Sequence, residues 1–175
     1  MRPVGIVSVA VVPGPASIGP EAFIPDAGLR ARAVETLRIR AKRTFHPGTD
    51  VERCEAQAAR SALETAGIGP EKIDLVIHAS TTPPPRSLYS RSAGVMKAVG
   101  AGRAYGFDVM AGCNGATWAL ANAKSLLLTH DEWTTALVLV SDQLASYVDY
   151  ANETHLPLFN WADAVSAVVL RKGEA

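Results

Sequence analysis

The sequence predicts an α/β protein, and three observations carry that expectation. Short valine- and isoleucine-rich runs suited to strands alternate with longer stretches in which small and apolar residues return at helical spacing. The stretch Gly106-Phe107-Asp108-Val109-Met110-Ala111-Gly112-Cys113-Asn114-Gly115-Ala116, with the Ala/Leu-rich run to Thr129, reads as a short buried strand, a tight small-residue turn and a long helix. No low-complexity linker interrupts the 175 residues, so residues 1–175 are expected to form a single domain, and 48% hydrophobic content suffices to bury a core.

Taken in order, residues 4–12 are valine-rich and suit a strand, closed by Pro13-Gly14-Pro15. Residues 16–26 read as a loop broken by Gly19-Pro20 and Ile24-Pro25. Residues 29–45 carry Arg30, Arg32, Arg38, Arg40, Lys42 and Arg43, a basic cluster that reads either as a solvated helix face or as a grip for phosphate. Asp50 is a good N-cap, and Val51, Cys54, Ala58, Ala62 and Ala66 recur at helical spacing until Gly67 supplies a stop. Cys54 on that stripe reads as a small buried hydrophobe. Residues 73–79 form a continuous apolar strand, with His78 expected as a satisfied structural histidine. Thr81-Thr82-Pro83-Pro84-Pro85 is a stiff loop before a helix over 87–99, and loops at the carboxyl ends of strands in α/β sheets are where ligands bind. Residues 135–141 are another strand, 142–160 are polar and irregular, and 165–170 close the chain as a last strand, giving roughly five strands and three or four helices.

Lys+Arg and Asp+Glu are both 17, so no net basic field recruits nucleic acid and partners must be found by local chemistry. Cys54 and Cys113 are far apart and show no metal-ligand spacing, which favours free thiols in a reducing cytosol and a cytoplasmic protein without a metal. The apolar start lacks the basic region and the long apolar run of a signal peptide, so a soluble, unanchored chain is expected.

Cys113 is the first candidate nucleophile, because the unpaired amides at a helix start favour thiolate over thiol. Two enzymes fit the turn. Ala111-x-Cys113-x-Gly115 resembles a nucleophile elbow with cysteine in place of serine. Such a compact ester hydrolase needs an acid and a histidine downstream; His130 lies beyond the far end of the helix, which leaves His155, with an acid such as Asp163.

The second enzyme follows from a resemblance. Residues 106–128 resemble the active-site segment of the thiolase-like superfamily, and within it of β-ketoacyl-acyl carrier protein synthase III: a Phe-Asp-Val strand, small residues, the cysteine, and a small-residue helix. Arg38-Ile39-Arg40 falls where that family has Gly-Ile-Arg, Ala79-Ser80-Thr81-Thr82 matches its Ala-Thr-Thr loop, and residues 137–142 match its Val-Val-Gly-Ser-Asp strand. Ala162-Asp163-Ala164 stands where Gly-Asp-Gly is usual, so the turn is bulkier, and Trp161 before it would reshape an acyl pocket.

The resemblance implies a thiolase-like half-domain with a five-stranded mixed sheet flanked by helices. It implies that Cys113 attacks a thioester and holds the acyl group before transfer to a carbon, oxygen or nitrogen nucleophile, in fatty acid or polyketide biosynthesis. Substrate contacts would fall to Leu88, Asn114, Asn160 and Trp161, and Arg40 and Arg43 would dock an acidic acyl carrier protein. No bound cofactor is implied; the substrate is an acyl carrier protein or coenzyme A thioester. Arg32 and Thr36 stand near the positions where coenzyme A-using members hold adenine with tryptophan and arginine, which favours a generic carrier-bound thioester.

A complete member is a duplicated fold of about twice this length, with its catalytic histidine and asparagine in the second half. His46, His78, His130 and His155 fall outside any matching motif. Three readings of the missing half stand open: a subunit of a split enzyme, a fragment of a longer protein, or a stand-alone non-catalytic half. The expectation is a second polypeptide that supplies that half and covers an apolar face, with further dimerisation. Met1 and the polar Gly173-Glu174-Ala175 ending favour a natural subunit. The non-enzyme alternative is a scaffold or regulatory half that binds a complete synthase.

Overall fold

A computed structural model describes residues 2–84 and 88–173. In chain order its elements are β1 (Val4–Pro13), β2 (Ala16–Ile18), α1 (Ala27–Leu37), β3 (Lys42–Thr44), α2 (Val51–Ala66), β4 (Leu75–Ala79), α3 (Arg91–Val99), β5 (Tyr105–Val109), α4 (Gly115–Thr129), β6 (Thr135–Gln143) and β7 (Asp163–Lys172), with short 3₁₀ turns between some of them. Backbone contacts gather these into two compact units, one made of Pro13–Thr49 with Asp142–Ala164 and the other of the rest of the described chain.

The larger unit is a mixed five-stranded sheet in the order β1-β7-β6-β4-β5, flanked by helices. β4 is an interior strand: it runs parallel to β5, with Ala79 opposite Val109, and parallel to β6, with Ala79 opposite Val140. All five of its residues are buried, which is why it reads as a continuous apolar run rather than an alternating one. Leu75, Ile77 and Ala79 pack with Ala119, Ala123 and Leu127 of α4, while the alternate residue His78 faces the other way and meets Glu55 of α2.

α2 begins and ends as its sequence dictates. Asp50 accepts the Arg53 N–H at its start, and Gly67 takes the left-handed conformation at its end. Its buried stripe is Val51, Glu55, Ala58, Ala59 and Ala62, so a glutamate occupies the inner position that the spacing assigned to Cys54. Cys54 lies beside the stripe, half-buried. α3 starts at Arg91 behind a Ser90 cap, later than expected; the expected start at Ser87 lies outside the described residues.

Two further expectations are corrected. β5 is exposed along most of its length rather than buried, because it ends the sheet and only β4 borders it. Residues 16–26 are not all loop: Ala16–Ile18 pairs antiparallel with β3, Ala16 opposite Thr44, and Pro20–Ala22 makes a 3₁₀ turn. A three-residue strand carries no periodic signal of its own and exists because its partner is there.

That ladder belongs to the smaller unit, whose core is Ile24, Leu29, Ala33, Ile39, Val148 and Phe159. Among the described residues, no helix is long and apolar enough to cross a membrane.

Candidate active site

The turn that presents Cys113 is built from small residues for a geometric reason. β5 ends at Val109, and three residues later Gly112 takes φ +53°, a left-handed conformation costly for any residue with a β-carbon. One 3₁₀ turn, Gly112–Asn114, follows, closed by the Gly115 N–H on the Gly112 carbonyl, and α4 starts at Gly115. A β-carbon added at Gly115 would sit 3.6 Å from that of Ala79, so the helix opens directly on the end of β4. Cys113 is a free, exposed thiol on this turn, one step before α4 rather than inside its first turn. Asn114, in the same turn, is exposed and its side chain caps nothing.

Cys54 offers a contrast. Burial pushes its thiol above the ordinary value, and the Asp50 and Glu55 carboxylates add to the effect, so it is held as an inert thiol.

Beside the Cys113 turn lies a buried ionic network. Glu55 Oε1 is 3.0 Å from His78 Nε2 and 3.3 Å from the Arg91 guanidinium, with the three side chains at 2%, 1% and 9% exposure. The Arg91 guanidinium also donates to the Pro83 carbonyl at 3.3 Å, while the Arg91 and Ser92 amides donate to the Asp108 carboxylate at 2.9 and 2.8 Å. The network thus joins α2, β4, α3 and β5. Its anchor on β5, Asp108, stands five residues before Cys113. His78 is the structural histidine expected, but Glu55, Arg91 and Asp108 were not singled out. A glutamate on the inner stripe of α2 and a histidine inside an apolar strand were the signals that each needed the other.

Ser80 Oγ donates to the Thr82 carbonyl at 2.8 Å and accepts the Thr82 N–H at 3.1 Å, which tightens the loop after β4. Leu88, assigned to substrate contact, stands on the loop before α3 in a left-handed conformation, φ +59°, and is fully exposed.

In the smaller unit the basic cluster divides. Arg30 donates to the Ile24 carbonyl, Arg32 pairs with Glu153, and Arg43 donates to the Pro15 carbonyl at 3.2 Å. Arg40 is exposed along a groove with Arg30, Val34 and Ile39. Lys42 departs from both sequence readings: it is buried, with Nζ 4.0 Å from the ring centroids of Phe23 and Tyr150. Nζ contacts Tyr150 Oη and the Phe159 carbonyl, and burial pulls the ammonium down to about 8 although Asp163 opposes the shift. Burial, aided by Asp163, pushes the Tyr150 phenol up to about 12.

Asp163 is buried, and its two oxygens accept the amides of Phe45 and Ala145, each at 2.9 Å. His155 Nδ1 instead accepts the Asp149 N–H at 3.1 Å. The acid–histidine pair required by the compact hydrolase is not formed among the described residues. Trp161 packs against the core of this unit and Asn160 is exposed. The structure therefore puts Cys113 and Asn114 on one turn and Leu88 in the same unit, while Asn160, Trp161, Arg40 and Arg43 belong to the other. No group of three or more His, Cys, Asp or Glu side chains suited to a metal occurs among the described residues.

Residues 107–175 match the family model for 3-oxoacyl-[acyl-carrier-protein] synthase III. The chain is 36% identical over 136 residues to β-ketoacyl-[acyl-carrier-protein] synthase III of Gloeobacter violaceus, covering 78% of this chain and 40% of that one. It is 33% identical over 172 residues to the synthase III of Erythrobacter litoralis, covering 94% and 52%. Among solved structures, 3-oxoacyl-[acyl-carrier-protein] synthase III of Aquifex aeolicus superposes with a TM-score of 0.83 at 25% identity, over 98% of this chain and 55% of that one. The priming β-ketosynthase of the R1128 polyketide pathway superposes with a TM-score of 0.87 at 22% identity, over 99% and 51%, a likeness of fold. The chain spans about half the length of the curated relatives it matches.

Proposed function

From the premise that this chain is the amino-terminal half of a thiolase-like, synthase III-like protein, we propose that it carries the nucleophile of an acyl-transferring or condensing enzyme. The observation that carries the reading is Cys113: an exposed thiol on a left-handed glycine turn, beyond the end of a parallel strand, in the family-matching segment.

The Cys113 sulfur attacks the carbonyl carbon of an acyl thioester. The bond to the carrier sulfur breaks, the carrier leaves as a thiol, and the acyl group waits on Cys113 for its acceptor. The amides of the turn suit the oxyanion of that step, except the Gly115 N–H, which already donates to the Gly112 carbonyl. The donor is an acyl carrier protein or coenzyme A thioester, and Arg40 is the better placed of the two proposed carrier contacts, since Arg43 already serves the Pro15 carbonyl.

The proton-transfer groups come from a second polypeptide bearing the other half of the duplicated fold. His78 is committed to Glu55, and His130 stacks on Trp133 at 4.0 Å. α4 supports such a partner. Its buried residues are Gly115, Ala119, Ala123 and Leu127, and it leaves Trp118 58% exposed. The hydrolase reading lacks its acid–histidine pair among the described residues, because His155 Nδ1 accepts the Asp149 N–H rather than pairing with Asp163.

Incubation with an acyl-thioester substrate is expected to add one acyl mass to Cys113, and the Cys113→Ala protein is expected to add none. An acyl label that persists in Cys113→Ala overturns the assignment.

A further inference from the structure

The smaller unit contains a hydrogen-bond relay whose direction is set by one proton. Lys42 Nζ contacts Tyr150 Oη, and the Tyr150 hydroxyl donates in turn to the Ala145 carbonyl at 3.0 Å. An ammonium has donors and no acceptor, so a charged Lys42 donates to Tyr150 and leaves the phenol's own proton for Ala145. The Tyr150–Ala145 bond closes the stretch 145–150 into a loop that includes the exposed Tyr147.

Loss of the Lys42 proton changes which arrangement is best. The neutral amine carries a lone pair enclosed between the rings of Phe23 and Tyr150, each with its centroid 4.0 Å away. The other groups that act on it cannot donate: Phe159 offers a carbonyl at 3.3 Å, and Asp163 a carboxylate already accepting the Phe45 and Ala145 amides. Among the described residues, Tyr150 supplies the one O–H in contact with Nζ. A buried acceptor left without a donor is costly, and an amine is a stronger acceptor than a peptide carbonyl. Ala145 is only half-buried, so water can meet its carbonyl.

We propose that Lys42, Tyr150 and Ala145 form a pH-sensitive latch: when Lys42 sheds its proton to solvent, the Tyr150 hydroxyl turns from the Ala145 carbonyl to the Lys42 amine, and the stretch 145–150 is unlatched. Burial pulls Lys42 down to about 8 and pushes Tyr150 up to about 12, so between those values the amine is neutral while the phenol keeps its proton. The latch is open in that window. It stands apart from the acyl-transfer reading.

The test is an NMR titration of the protein as purified, with any chain that accompanies it, from about pH 7 to about pH 10, following the Lys42 ε-carbon and the Ala145 carbonyl carbon. The two resonances are expected to move with one midpoint near pH 8, the carbonyl upfield as it loses its hydrogen bond. In Tyr150→Phe the carbonyl is expected to stay flat at the upfield position, and in Lys42→Met flat at the downfield one. A carbonyl that stays flat while Lys42 titrates overturns the inference. So does a Lys42 that keeps its proton throughout, or a carbonyl shift of the same size in Tyr150→Phe. Should a variant not fold, the joint titration in the unaltered protein decides.

Discussion

The two units each bury a cation, and they neutralise it by different means. Arg91 meets a carboxylate, Glu55, which is shared with an imidazole. Lys42 sits between two aromatic faces and a carbonyl, with Asp163 acting on it through space while that carboxylate serves two amides. A guanidinium does not give up its proton under ordinary conditions, so the charge on Arg91 is fixed. An ammonium among rings does give it up, and Lys42 is pulled down to about 8. The same need, a cation out of water, yields a permanent fixture in one unit and a titrating one in the other.

The strongest way to break this comparison is to remove the shared acid. Glu55→Ala leaves a buried guanidinium without its carboxylate, and a loss of about 3–5 kcal/mol is expected in chemical denaturation. A loss below about 1 kcal/mol would mean that water already screens the network. Asp163→Ala strands the Phe45 and Ala145 amides, with an expected loss of about 2–4 kcal/mol. It also removes the one influence holding Lys42 up, so the lysine should titrate below 8 in that protein. A lysine unmoved by the change would refute the through-space coupling.

The smallest effect is a slope. The folded Lys42 value of about 8 lies below the ordinary 10.5, so between those pH values the unfolded chain holds a proton that the folded chain has shed. Stability contributed by this group therefore rises with pH across that window. Above pH 10 the sign reverses for Tyr150, because the folded phenol keeps its proton up to about 12 and the unfolded one does not. Denaturation midpoints of the unaltered protein minus those of Lys42→Met are expected to rise between pH 8 and 10, the subtraction removing groups common to both. A flat difference would show that the cage costs the ammonium nothing.

Much of the fold was legible because its causes are local. Asp50 and Gly67 bound α2, the apolar run of β4 announces an interior strand, and Gly112 beside Cys113 marks the turn that presents the thiol. What escaped has non-local causes. β2 exists only against β3, and β5 is exposed because of its place in the sheet order rather than its composition. Glu55 looks like an ordinary helix residue until His78 and Arg91 arrive from elsewhere in the chain. Lys42 looks like one more member of a basic run, although in β3 it alternates with exposed Arg43 and shares its buried side with Thr44. The small-residue turn around Cys113 was legible at once; the buried charges of the fold needed three dimensions.

The position of β5 at the sheet's end bears on how this chain can be handled. Its outer edge offers a row of amides and carbonyls to any extended segment, with Tyr105 and Phe107 exposed along the same strand. Such an edge is a template for strand-on-strand association between copies of the chain. A proline or a charge placed on that edge acts on colloidal behaviour first and on the cysteine turn hardly at all.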